Sequence, residues 1–165
     1  MILYEVTMFV FFLIMAGVIL LDQITKILAL QYLAPVGSFP LWENVLHLTY
    51  VENTGAAFGM LKDQRWVFLV ISTVALSGMI VYMFFNKTKH PLETTAVAFI
   101  VGGGIGNMID RIARGFVVDF VDVKCIPHWK YIFNVADIFV CVGCGLFILY
   151  VILFEARAKK TEDSL

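Results

Sequence analysis

Apolar residues gather into four long runs. Residues 6–21 are almost unbroken and close at Asp22, residues 66–85 carry no charge, residues 94–109 end at Asp110-Arg111, and residues 138–154 are prefaced by 131–137. A helix rises about 1.5 Å per residue, so roughly 20 residues cross the hydrocarbon of a bilayer. With their polar flanking turns, the runs predict spans at about 6–25, 66–85, 93–112 and 134–154. Residues 86–91 (Asn-Lys-Thr-Lys-His-Pro) form a short, basic, helix-breaking link. Residues 31–65 are long, with Pro35, Gly37 and Pro40 followed by the alternation Leu46-x-Leu48-x-Tyr50, which predicts a short strand. Residues 113–132 form a second structured loop. The fold expected is an all-α membrane protein, one domain over 1–165, with four transmembrane helices and a small extracytoplasmic β-rich loop region.

Composition narrows the class. The chain is 61% hydrophobic and 15% charged, against about 45–50% and 25% in soluble domains. One soluble core of this length could not hide that surface, and disorder is excluded for the same reason. A net charge of −1 with no basic block argues against a nucleic-acid partner. Of the three cysteines, Cys141 and Cys144 sit i, i+3 in an apolar run, apart from Cys125, and read as small packing residues. The N-terminus has acidic Glu5 in place of a basic region and no small-residue cleavage site, so it reads as the first permanent span. Four spans put both termini on one side. The basic link and the tail residues Arg157, Lys159 and Lys160 share that side and point it to the cytoplasm by charge density. The opposite loops also carry Lys62, Arg65, Arg114, Lys124 and Lys130.

This topology sends the polar residues of the helices to one face, the outer one. An ionisable group costs about 2.5–3.5 kcal/mol at the bilayer centre on insertion scales, less when paired or near the interface. Asp22 and Lys26 are i, i+4, as are Asn107 and Arg111, and Asn134 and Asp137 are i, i+3. The inner half of the bundle reads as nearly featureless. Gly102-x-x-x-Gly106, with Gly103 and Gly104 between, is a close-packing spacing. Two carboxylates stand apart, Asp119 among apolar neighbours in 115–122 and Asp137 at the head of the fourth span. They are 18 residues apart across a loop containing Pro127, which lets the chain reverse and bring them together. Such a pair cannot easily ionise twice, so the ionised member can deprotonate water while the protonated one polarises a carbonyl. A rival use is Mg²⁺ binding by Asp110, Asp119, Asp122 and Asp137, as in a head-group transferase. A proton-coupled transporter is a third class. His47, His90 and His128 offer no nucleophile scheme.

The blocks Asp22-Gln-Ile-Thr-Lys26, Asn53-Thr-Gly-Ala-Ala-Phe58, Gly103-Gly-Ile-Gly-Asn107-Met-Ile-Asp110-Arg111, Val117-Val-Asp119-Phe120 and Phe133-Asn134-Val-Ala-Asp137 stand in order over nearly the whole chain. In these the sequence resembles signal peptidase II, the bacterial lipoprotein signal peptidase. The resemblance implies a four-helix membrane aspartyl protease with Asp119 and Asp137 catalytic, no cofactor and no metal. It implies supporting or substrate-binding roles for Asp22, Lys26, Asn53, Gly55, Asn107, Arg111 and Asn134. It also implies a diacylglyceryl-prolipoprotein substrate cut just before the lipidated cysteine. The place expected is the bacterial inner membrane, for a monomer among membrane lipids with both termini cytoplasmic and the active site near the outer face. Ile138 departs from the small hydroxyl residue that often follows the final aspartate of the family.

Overall fold

A computed structural model describes residues 2–55, 64–85 and 90–155. Residues 56–63, 86–89 and the tail from 156 lie outside it, and with them part of the Asn53 block and the basic groups used to orient the chain. Four helices, α1 (Ile2–Leu28), α2 (Arg65–Phe85), α3 (Pro91–Ala113) and α4 (Val135–Tyr150), surround a seam of small residues. α1 continues in a π-helical turn over Ala29–Leu33 and α4 in another over Val151–Glu155. With those turns, all four are long and apolar enough to cross a membrane. Their outward faces are apolar, with Phe9, Leu13, Leu20, Val70, Val74, Phe85 and Ile148 among the exposed residues.

α1 does not stop at Asp22. The helix runs on through Lys26 because both side chains are fully buried and paired, so neither needs the water that would end the span. α3 is the central helix and the most buried of the four. Its glycines let the neighbours close in: a Cβ on Gly103 would stand 2.5 Å from the Ala136 carbonyl oxygen on α4, and one on Gly106 would stand 2.5 Å from Asp22 Oδ2 on α1. At the end of α3 farther from the loops, Met8, Phe11, Leu76, Met83, Val97 and Val101 form an apolar core.

The opposite end carries more β-structure than the single predicted strand. β1 (Ser38–Trp42), β2 (Leu46–Asn53), β3 (Val117–Val123) and β4 (Ile132–Phe133) make one antiparallel sheet in that order, drawn from both long loops. β1 carries Pro40, which an edge strand tolerates. β2 and β3 pair Val51 with Asp119 and Asn53 with Val117, after a register shift between Leu48 and Val51. Gly115, at φ +86°, turns the chain from α3 into β3. The sheet sits on the end of α1 through Val118, Phe120, Ala29 and Leu33.

Two expectations need correction. The half of the bundle away from the sheet is not featureless: Glu93 is fully buried there, accepts from the Tyr82 hydroxyl and the His90 backbone N–H, and forms a capping box with His90. A helix N-terminus exposes unpaired N–H groups, and a carboxylate at N3 answers one of them. Cys141 and Cys144 are exposed on α4 and do not pack into the core.

Replacing Gly103 with Ala is expected to lower stability by about 1–3 kcal/mol, because the obstructing atom is backbone. Gly17→Ala, where nothing lies within 4 Å of the added Cβ, is expected to match or slightly exceed the wild type. Thermal unfolding of the two variants in detergent checks the contrast.

Candidate active site

The site is built where the first turn of α4, the last turns of α1 and α3, and the middle of β3 meet. Asp119 stands in β3 between Val118 and Phe120 and is 2% exposed. Its Oδ2 accepts from Asn53 Nδ2 at 2.8 Å and its Oδ1 from Asn134 Nδ2 at 2.6 Å. Asp137 is the third residue of α4. Its Oδ1 accepts from Asn107 Nδ2 at 2.8 Å and its Oδ2 from the Asn134 backbone N–H at 3.2 Å, while Asn134 Oδ1 accepts from the Asp137 N–H at 2.9 Å. Asn134 is thus the N-cap of α4 and the link between the two carboxylates. Both aspartates line one cleft of about 760 Å³, with Asn53, Gly55, Asn107 and Arg111 at its polar end and Val51, Phe133, Val140 and Cys141 on its apolar walls. Burial, and then the charge of Asp137, push the Asp119 carboxyl up to about 7, against the opposing pull of Asn53, Asn134 and Lys26.

A layer of charge lies beneath this pair. Lys26 Nζ sits 2.9 Å from Asp22 Oδ2 and 3.1 Å from Asp110 Oδ2, all three fully buried. It also donates to Asn107 Oδ1 at 2.8 Å. An ammonium can only donate, so Asn107 must turn its carbonyl toward Lys26 and its NH₂ toward Asp137. Asp22 Oδ1 accepts from the Ala136 N–H at 2.9 Å and so ties α1 to the first turn of α4. Asp110 Oδ2 accepts from the Val118 N–H at 3.0 Å, holding β3 one residue before Asp119, and Asp110 also pairs with Arg114. Gln23 Nε2 joins Asp22, Asp110 and the Gly106 carbonyl at 3.1–3.2 Å. Arg111 reaches the Gly55 carbonyl and the Asn107 carbonyl, both at 3.3 Å, and lies 4.9 Å over the Phe68 ring. Gly55 N–H donates to Asn53 Oδ1 at 3.0 Å, so Arg111 and Gly55 brace the residue that holds Asp119.

All nine residues named from the sequence therefore meet in one network. Asp22 and Lys26 lie in its supporting layer and away from the cleft lining. Gln23 and Arg114 belong to that layer and were not singled out. Arg114 could have been found from its i, i+4 spacing to Asp110; Gln23 left no periodic signal. The four carboxylates considered as a Mg²⁺ set are dispersed: Asp110 goes to Lys26 and Arg114, and Asp122 to Thr49 Oγ1 at 2.8 Å and Lys124 at 2.7 Å. Only Asp119 and Asp137 of the four line the cleft.

Comparison with known proteins follows the same lines. A family model described as signal peptidase (SPase) II matches residues 14–153. The lipoprotein signal peptidase of Caldanaerobacter subterraneus subsp. tengcongensis is 46% identical over 146 residues, covering 88% of this chain and 97% of that protein. The one from Clostridioides difficile (strain 630) is 42% identical over 139 residues, covering 84% and 92%. Two solved structures described as a bacterial membrane enzyme superpose with TM-scores of 0.78 and 0.79 at 28% identity, covering 92% and 88% of this chain and 91% and 94% of theirs. These likenesses and the four spanning helices make this a multi-pass membrane protein. From the family match over most of its length, the chain belongs to the signal peptidase II family.

Proposed function

We propose that this protein is an aspartic-type endopeptidase that removes the signal peptide of prolipoproteins, cutting just before a diacylglyceryl-modified cysteine. The observation that carries the reading is the pair Asp119 and Asp137 in one cleft, each carboxylate held by two amide donors and bridged by Asn134. Relatives named lipoprotein signal peptidase support the substrate class.

In the mechanism, a water lies between the two carboxylates, which share one proton. Burial and the neighbouring charge suit Asp119 to keep it. Asp137 takes a proton from the water as its oxygen attacks the peptide carbonyl, and Asp119 donates to the carbonyl oxygen. The tetrahedral intermediate collapses as the proton on Asp137 passes to the leaving amine and the carbonyl oxygen returns its proton to Asp119. No covalent intermediate forms on the chain. The amides of Asn53, Asn107 and Asn134 hold both carboxylates in place beforehand, which lowers the cost of organising the site during reaction.

The same reading sets the protein in the bacterial inner membrane as a monomeric unit, with both termini cytoplasmic and the sheet outside. The clustering of polar groups at the sheet end supports it, because a signal peptide crosses as a helix and presents its scissile bond near the outer interface.

Asp119→Asn and Asp137→Asn are each expected to lower cleavage of a purified diacylglyceryl prolipoprotein by about 10²–10⁴-fold or more, with a chelator leaving the wild type unchanged. Normal processing by either folded variant would overturn the assignment. The pH profile tests the shared proton. Below about pH 7 Asp119 is protonated, and above it the single-proton state is lost. The rate of cleavage should therefore fall about tenfold per unit as pH rises above about 7. Asn53→Ala removes a donor that favours the ionised form, so it should move that limb to higher pH.

A further inference from the structure

The catalytic cleft has two ends, and a cation stands at one of them. On α4 the lining runs to Val140 and Cys141, three and four residues past Asp137 and so roughly 4.5–6 Å farther along the helix axis, away from the sheet. At the other end it is the segment Lys130-Tyr131-Ile132-Phe133, which leads through β4 to Asn134. Lys130 is exposed at that rim.

Lys130 differs from the other cations. Lys26 and Arg114 pair with carboxylates, Lys124 lies 2.7 Å from Asp122, Arg65 lies 4.9 Å over the Trp66 ring, and Arg111 is held by two carbonyls and Phe68. Lys130 is the one cation among the described residues that has no such partner. The other charges of the cleft are engaged as well: Glu52 accepts from the Tyr50 hydroxyl at 3.0 Å, and both aspartates accept from amides.

The loop is built to hold this ammonium in place. Pro127 and His128 form the corner of a turn closed by the Trp129 N–H on the Ile126 carbonyl at 3.2 Å, and His128 sits at φ +64°, in the left-handed region that favours glycine. Trp129, Tyr131 and Phe133 follow at two-residue spacing, and the Trp129 ring packs 5.3 Å from the Tyr131 ring and 5.8 Å from the Phe133 ring. A strained corner persists only where its surroundings hold it, and the aromatic row does so here. Lys130 precedes Asn134 by four residues, at most roughly 13 Å of extended chain. A peptide seated on the catalytic pair covers that distance in about four residues. A signal peptide that arrives as a helix fills the end of the cleft nearer the bundle, so the chain beyond the cut leaves past Lys130.

We infer that Lys130 is a specificity residue of the cleft, its ammonium pairing with an acidic side chain among the second to fourth residues of the released lipoprotein, the modified cysteine being the first. The inference rests on the reading under Proposed function and deepens it. An exposed ion pair contributes little and is screened by salt, so this one selects among substrates and does not drive the chemistry.

The test uses purified diacylglyceryl prolipoproteins that carry Glu, Gln or Lys at each of those three positions. At one or more of them the wild type is expected to favour Glu over Lys by about three- to tenfold in kcat/KM, with the difference in KM and shrinking at about 1 M salt. Lys130→Glu should invert that order and Lys130→Gln should flatten it, which a merely structural role for the loop would not do. Absence of any preference in the wild type, or a preference that both variants retain, overturns the assignment and leaves the peptidase reading intact. Failure of the wild type to cleave any of the substrates removes both. A Lys130 effect that follows the phosphatidylglycerol content of the vesicles, and not the charge of the substrate, assigns the ammonium to a lipid phosphate and also overturns it. Should Lys130→Glu not fold, Lys130→Gln decides: a flattened preference supports the assignment and an unchanged one overturns it.

Discussion

The site depends on one fully buried ammonium. Lys26 lies in a helix that crosses the apolar bundle, where an unpaired charge would be prohibitive, and it is held by Asp22 and Asp110 with Arg114 on the outer side of Asp110. Two cations against two anions leave the cluster neutral overall. Its carboxylates also accept from backbone: Asp22 takes the Ala136 N–H and Asp110 the Val118 N–H. Satisfying one buried cation therefore fixes α1, α3, α4 and β3 relative to one another, and the two aspartates ride on the elements so fixed.

Small residues make that arrangement possible. The Asp22 carboxylate occupies the space that a side chain on Gly106 would fill, and α4 lies where one on Gly103 would be. Close approach and charge pairing thus require each other: larger residues on α3 would separate the ions, and unpaired ions would not tolerate so dry a contact. The upper layer of amides follows from the lower one. Lys26 orients Asn107, Asn107 Oδ1 accepts from Asn134 at 3.1 Å, and both asparagines then present donors to the carboxylates.

The two ends of the bundle handle buried polarity differently. Near the sheet, charges are paired in a network that spans four elements. At the other end Glu93 is buried by capping its own helix and meeting Tyr82. Glu93 stands at the edge of the predicted third span, just after the basic link, where a carboxylate reads as a solvated charge, so its burial was not legible along the chain. Legible there was that His90-Pro91 breaks the helix.

The sequence by itself determined four apolar helices, because bilayer-length runs admit few other structures, and it singled out Asp119 and Asp137, because carboxylates are conspicuous where charge is scarce. The i, i+4 spacings also foretold the Asp22–Lys26 pair. Only the tertiary structure decided that Lys26 serves Asp110 and Asn107 as well, that both loops join in one sheet, and that Cys141 and Cys144 face outward. Each of these rests on contacts between residues far apart in the chain: β2 meets β3 from 66 residues away at Asn53 and Asp119, and Lys26 meets Asn107 from 81. Local periodicity states which face of an element is apolar. It does not state which distant donor will reach a buried acceptor, and that choice is made only when the helices close.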